Sequence, residues 1–280
     1  MRSVTKKAYG KVNLFLAVGG KRADGRHDVE TVMCRVGIYD TVTVTLTDSG
    51  IALTCDDGML PVNEENIAFL AAKLYFEHSA YNGGCRIAME KRIPVKAGMG
   101  GGSSDAAAVL SALDMLIGDV SFDTLVSIAA SIGADVPFFL YEKSVMLGTG
   151  TGAELTECGE LGFDVYGVFV TYGEKPSTGA AYRMLDEVKG EDTALKSADK
   201  LIKAMQGDDF FAFAGEIVND FELCSATFSE VSGALLELGC AGAFLSGSGP
   251  TVCGICKTED EARLVSEALK YPSFVARLGV

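Results

Sequence analysis

The segment Ile93-Pro94-Val95-Lys96-Ala97-Gly98-Met99-Gly100-Gly101-Gly102-Ser103-Ser104-Asp105 carries four glycines within positions 98–102. Such a run tolerates positive φ and lets a ligand approach bare backbone. It joins a candidate strand to an Ala-rich candidate helix, 103–116, which Ser103 or Ser104 is placed to cap. The start of that helix offers unpaired N–H groups and the positive dipole end, which suit phosphate. The plain alternative is a flexible turn before a capped helix. The run has no Gly-Lys-[Ser/Thr], so it is not a Walker A loop. No G-x-G-x-x-G opens a parallel βαβ unit with an acid placed for ribose, so it is not the dinucleotide fingerprint. Asp105, in the expected first turn, either complements the dipole or approaches a metal carried by a nucleotide.

Asp135 stands in Gly133-Ala134-Asp135-Val136-Pro137, where the chain turns. Alone it reads as a turn Asp bonded to its own backbone, although the same position lets a carboxylate enter a cleft. Lys11 precedes Val12 and so projects from the opposite strand face to Val12, Leu14 and Leu16. His27 follows the turn signal Asp24-Gly25, which argues against a core position. Cys253 and Cys256 form a single CxxC, and the only histidines are His27 and His78, so a four-ligand zinc site lacks candidates. TVCGIC reads as a buried strand, not as a redox turn. The eight cysteines have no disulfide framework and read as small buried hydrophobes of a reducing cytosol. Gly247-Ser248-Gly249 and the run 148–152 are further glycine loops, each weak alone.

The elements that must hold these groups follow from periodicity. Strands are expected at 3–9, 12–18, 31–38, 41–47 and 50–55, with TVTVTLT the clearest alternation. Residues 65–79 form an amphipathic helix, followed by a strand at 85–91 and helices at 103–116 and 121–132. Strands are expected at 144–148, 153–157 and 165–170, then helices at 178–187, 193–205, 208–218 and 228–238. The strand TVCGIC, a helix at 258–269 and a strand at 273–278 complete the pattern. The mixed order predicts α+β in two domains meeting near residue 155.

Charge bounds the partners. Lys plus Arg total 24 against 38 acids in 280 residues, a formal charge of −14. That excludes general binding of nucleic acid, which needs basic patches to displace counterions. A small polyanion needs only local cations, and residues 1–35 carry eight Lys/Arg (2, 6, 7, 11, 21, 22, 26, 35) against three acids (24, 28, 30). VNLFLAV is interrupted by Asn13 and lacks a cleavage site, and 238–256 is broken by glycines, so neither reads as a signal or a membrane span. A cytoplasmic protein is expected.

Three separated segments now combine. They are Ala8-Tyr9-Gly10-Lys11-Val12-Asn13-Leu14 with Lys21-Arg22-Ala23-Asp24-Gly25-Arg26-His27, the glycine loop with Gly133-Ala134-Asp135-Val136-Pro137-Phe138-Phe139, and Leu245-Ser246-Gly247-Ser248-Gly249-Pro250-Thr251. In this order, from about residue 6 to the C-terminus, the chain resembles the GHMP small-molecule kinases. The loop alone indicates only the superfamily. The K-x-N-L, D-G-x-H and G-A-D-V-P segments point to the branch whose acceptor is a cytidine diphosphate-linked polyol of isoprenoid precursor synthesis.

The resemblance implies a two-domain α+β GHMP kinase fold. Residues 1–155 would form a nucleotide-binding domain like ribosomal protein S5 domain 2, and 156–280 an α+β substrate domain. It implies ATP as phosphoryl donor, Mg²⁺, and a small-molecule alcohol as acceptor. Asp135 would be the base and Lys11 the cation beside it. Pro94, Val95, Lys96, Ala97, Gly98, Met99, Gly100, Gly101, Gly102, Ser103 and Ser104 would bind the nucleotide, with Ser104 the candidate Mg²⁺ ligand and other metal ligands open. Asn13 would orient the substrate, His27 would read the cytosine edge, Tyr182 would stack on the base and Thr178 would bond the substrate. The family usually has tyrosine just before the histidine; here Arg26 stands there, and its guanidinium plane can also stack. Two alternatives remain: a GHMP kinase of homoserine, mevalonate or a sugar, and a catalytically dead nucleotide-binding protein. The Asp24–His27 segment argues against the first, and retention of Lys11 and Asp135 against the second.

Overall fold

The strong alternation near the N-terminus folds into two long strands in the computed structural model, which describes residues 2–173, 177–190 and 193–280. Strand β1 (Ser3–Lys21) and strand β2 (His27–Thr47) each run without a break. Sequence patterning expects four shorter strands here, at 3–9, 12–18, 31–38 and 41–47. Gly10 instead stays extended and buried, where a Cβ would lie 3.3 Å from Ile38 Cγ2. It serves close packing, not a turn.

The chain forms two compact units that interleave: Met1–Gly10, Ile38–Val95 and Gly100–Glu142 make the first, and Lys11–Gly37, Lys96–Met99 and Lys143–Val280 the second. This partition differs from a single cut near residue 155.

In the first unit, strands β3 (Ile51–Cys55), β4 (Gly84–Glu90), β2 and β1 lie side by side in that order. β2 and β4 are antiparallel, with Thr41 opposite Glu90, and β3 and β4 are parallel. Helices α1 (Ile67–His78), α2 (Gly101–Leu116), α3 (Phe122–Ile132) and the short α4 (Val136–Leu140) complete it. The core joins Val42, Val44 and Ile87 from the sheet with Ala68, Ala71 and Ala72 of α1 and Ala106, Val109 and Leu113 of α2. Alanines on α1 and α2 let the two axes approach closely. Asn66 caps α1 by accepting from Ala68 N, and Ser121 caps α3 by accepting from Thr124 N, each worth about 1 kcal/mol. Helix α4 falls within GADVPFFL, where no helix is expected; Pro137 sits at its start, as proline tolerates.

In the second unit, β2 pairs with β5 (Val145–Thr149), which pairs with β6 (Glu154–Glu157), both antiparallel. A four-stranded antiparallel sheet follows, in the order β11 (Ser273–Arg277), β7 (Tyr166–Thr171), β10 (Thr251–Cys256), β9 (Gly242–Leu245). Helices α5 (Thr178–Lys189), α8 (Phe228–Glu237) and α9 (Glu259–Ala268) contribute Leu185, Leu235 and Val265 to a core with Val168, Val170 and Val252. TVCGIC is the fully buried strand β10, as its composition predicts. All eight cysteines are free thiols, and burial pushes those of Cys34 and Cys85 up to about 12.

Two expected helices are shorter. Residues 193–198 are not helical, and α6 (Asp199–Met205) begins only after Ala198 N has donated to Glu30. Helix α7 (Phe210–Gly215) stops early, because Val218–Asn219 becomes strand β8, parallel to β1. A 3₁₀ turn, Asp220–Cys224, follows, with Asn219 Oδ1 accepting from Phe221 N.

Candidate active site

Lys11 and Asn13 are two apart on β1, so both leave the same face. Lys11 Nζ donates to Asn13 Oδ1 at 2.7 Å. Asn13 Nδ2 donates to Thr31 Oγ1 at 2.7 Å, and that hydroxyl donates to Phe15 O at 2.8 Å. Each polar group in this buried relay is therefore oriented by the next. Val12 and Leu14, on the other face, are wholly buried.

The glycine loop divides between the units. Its Lys96–Met99 portion belongs to the second, where Met99 O accepts from Lys11 N at 2.8 Å. The loop Ser246–Thr251 lies against it: Ser246 Oγ donates to Gly98 O at 3.1 Å, and Thr251 N donates to Ala97 O at 3.3 Å. Gly98 has φ +83°, and a Cβ there would lie 2.4 Å from Ser246 O and 2.7 Å from Gly249 O. Only glycine fits both the dihedral and the space. Lys96 holds φ +57° without being glycine, and its side chain is exposed, a strained backbone for an L residue. Asn219 Nδ2 ties the second loop from below, donating to Leu245 O and Gly247 O at 2.7 Å.

The portion from Gly100 onward belongs to the first unit. The expectation that Ser103 or Ser104 caps the helix is corrected. Helix α2 starts two residues earlier, its N-cap is Gly100 with φ +71°, and no side chain caps it. The first-turn N–H groups are thus left to a ligand or water. Asp105 is consequently past the first turn and buried, not a dipole-facing surface acid.

Asp105 belongs to an ionic triad that patterning does not single out. Lys91 Nζ donates to Asp105 Oδ2 and Asp40 Oδ2, both at 2.5 Å. Asp40 Oδ1 accepts from Arg92 N and Ile93 N, the backbone that leads into the glycine loop. One lysine faces two buried carboxylates. Burial, then repulsion from Asp40, pushes the Asp105 carboxyl up to about 7 against the opposing pull of Lys91. Burial works against the Lys91 charge, but Asp105 and Asp40 hold its pKa above the usual value.

Asp135 is the N-cap residue of α4, half-buried, with helical φ and no side-chain cap bond. Asp135 lies in the first unit and Lys11 in the second.

His27 is the first residue of β2 and, contrary to the turn-based expectation, is buried. Its ring stacks on Tyr182 with centroids 4.9 Å apart and planes 18° apart. A base stacked on Tyr182 must use the other face of that ring or displace His27. His27 Nε2 lies 2.8 Å from Asp186 Oδ1. Tyr182 and Asp186 are one turn apart on α5, a spacing that could have pointed to Asp186 in the sequence. Thr178, the first residue of α5, is exposed, and Ser177 rather than Thr178 caps the helix. Arg26 is exposed and its guanidinium is engaged by Asp24, with Nε–Oδ2 at 3.1 Å.

Among the described residues no group of three or more His, Cys, Asp or Glu side chains is arranged to hold a metal, and no helix is long and apolar enough to cross a membrane.

The family model for the GHMP kinases N terminal domain matches residues 66–143, and that for the GHMP kinases C terminal matches 194–272. A 4-diphosphocytidyl-2-C-methyl-D-erythritol kinase of Geobacter metallireducens is 37% identical over 279 residues, 98% of this chain and 96% of the relative. One from Alkaliphilus metalliredigens is 36% identical over 275 residues, 96% of this chain and 93% of the relative. A crystal structure of 4-(cytidine 5'-diphospho)-2C-methyl-D-erythritol kinase superposes with a TM-score of 0.83 at 33% identity, covering 99% of this chain and 100% of that one.

Proposed function

The chain belongs to the GHMP kinases, and from that membership we propose that it transfers the γ-phosphoryl group of ATP to the 2-hydroxyl of 4-diphosphocytidyl-2-C-methyl-D-erythritol. The reaction would serve isoprenoid precursor synthesis by the non-mevalonate route, in the cytoplasm. The observation that carries this reading is likeness along nearly the whole chain to kinases named for that substrate.

Phosphoryl transfer is chiefly positioning and charge stabilisation. We assign acceptance of the hydroxyl proton to Asp135 and charge stabilisation to Lys11, whose ammonium Asn13 orients. Asn13 also directs the substrate. Nucleotide phosphates are assigned to the backbone from Pro94 to Ser104, with Lys96 adding positive charge and the uncapped start of α2 adding N–H donors. His27, Tyr182 and Thr178 are assigned to the cytidyl end, with Arg26 standing in for the family's usual tyrosine. The nucleotide assignments all fall within 1–155, whereas those for the substrate come from Asn13, Arg26 and His27 on one side of that boundary and Thr178 and Tyr182 on the other.

Mg²⁺ binds through few protein oxygens and several phosphate oxygens. The hydroxyl of Ser104 is a suitable hard donor, whereas the neighbouring Asp105 carboxylate is committed to Lys91. When bound, the ion would neutralise charge on the phosphates.

The test is ADP release with the cytidyl substrate, with Asp135→Asn as control. The expected result is acceptor-dependent ADP formation by the wild type. The variant should turn over at least about 10²-fold more slowly with ATP binding near normal. Phosphorylation of homoserine or mevalonate, but not of the cytidyl substrate, would overturn the assignment.

A further inference from the structure

Asp186 is absent from every motif above, yet its Oδ1 lies 2.8 Å from Nε2 of the His27 ring. We propose that Asp186 determines base specificity, by fixing which nitrogen of His27 is left to meet the cytosine. The inference rests on the cytidyl reading of the substrate.

An ionised carboxylate only accepts hydrogen bonds. With Asp186 Oδ1 at 2.8 Å, His27 Nε2 must carry a proton. In the neutral imidazole the second nitrogen, Nδ1, is then a lone-pair acceptor. An acceptor suits the 4-amino group of cytosine, which donates, and repels the 4-carbonyl of uracil, which also accepts. The ring plane is set independently by the stack on Tyr182. Tyr182 and Asp186 are four residues apart on α5, so one helix face fixes both plane and tautomer. That helix is held by the Ser177 cap and by Ala181 and Leu185 in the core. His27 is itself only 8% exposed, which leaves its ring little room to flip.

The conservative change Asp186→Asn supplies the opposite option, because its amide can donate to Nε2 and let the proton move to Nδ1. Rates are compared for the cytidyl substrate and its uridyl analogue, and ¹⁵N NMR reads the protonation of His27 in the substrate-free wild type near neutral pH. The expected outcome is an Nε2–H tautomer in the wild type. In Asp186→Asn the ratio of kcat/KM for cytidyl over uridyl substrate should fall roughly tenfold or more, with KM for ATP unchanged. An Nδ1–H tautomer or an imidazolium in the wild type would overturn the proposal. So would an unchanged selectivity ratio. Wild type inactive on the cytidyl substrate would instead strike at the proposed function, while the tautomer measurement stands apart from it. If Asp186→Asn does not fold, the wild-type spectrum still decides whether Asp186 sets the tautomer.

Discussion

Lys11 Nζ and Asn13 Oδ1 are 2.7 Å apart on one face of β1, and both side chains are buried. A buried ammonium is costly unless it is bonded and used. Lys11→Met keeps the length and apolar bulk of the stem but removes the charge. Turnover should fall at least about 10²-fold. Stability should fall by about 1–3 kcal/mol, since Asn13 Oδ1 loses its donor. Steady-state kinetics beside thermal unfolding separates the two. Turnover near wild type with a lowered melting temperature would return Lys11 to a structural role.

The contact between the two glycine loops predicts a cost at Gly98. An alanine Cβ would be driven against Ser246 O and Gly249 O, in a backbone conformation that L residues avoid. Gly98→Ala should lose about 2–5 kcal/mol, combining left-handed strain with overpacking. Denaturant unfolding measures this. A loss below about 1 kcal/mol would mean that Ser246–Thr251 yields easily.

Lys96 gives the converse case. Its φ of +57° suits glycine better, so Lys96→Gly removes strain of about 1–2 kcal/mol, offset in part by the greater freedom of unfolded glycine. Stability should hold or rise while KM for ATP increases several-fold. Unchanged KM for ATP would remove the Lys96 charge from nucleotide binding.

The triad predicts a pH effect with a definite sign. Asp105 is raised to about 7 in the folded protein, against about 3.9 unfolded. Between these values the folded state binds more protons than the unfolded one. Stability therefore falls as pH rises from about 4 to 7 and stays lower above that range. Glu222, which burial also raises to about 7, adds in the same direction. Asp105→Asn should flatten the fall by up to about 1.4 kcal/mol per pH unit, and Glu222→Gln should remove part of the remainder. Slopes identical to wild type in both variants would contradict the assignment.

The sequence reveals most where one residue type answers to one local rule. TVTVTLT and TVCGIC became strands because alternation and β-branched content act locally. The glycine loop was legible as an unusual backbone segment, because consecutive glycines permit the left-handed conformations that Gly98 and Gly100 adopt. What escaped depended on distant partners. The expected gap between 3–9 and 12–18 is bridged at Gly10, whose close packing against Ile38 is remote in sequence. Ser103 and Ser104 looked like caps because they are good caps, yet left-handed Gly100 starts α2 first. Residues 193–198 suit a helix, but Ala198 N is taken by Glu30. His27 looked exposed beside its turn, although α5 covers it with Tyr182 and Asp186.

The triad has a consequence for how this sequence can drift. Asp40, Lys91 and Asp105 are far apart in the chain but share one ammonium. Replacing the lysine alone would strand two buried carboxylates, and breaking such a pair costs about 3–5 kcal/mol. That is a large part of the 5–15 kcal/mol by which folded proteins typically survive. The route from one working set to another therefore crosses intermediates that fold poorly. These three positions should change together across lineages, or scarcely at all, and Asp40 ties the backbone entering the glycine loop to that shared fate.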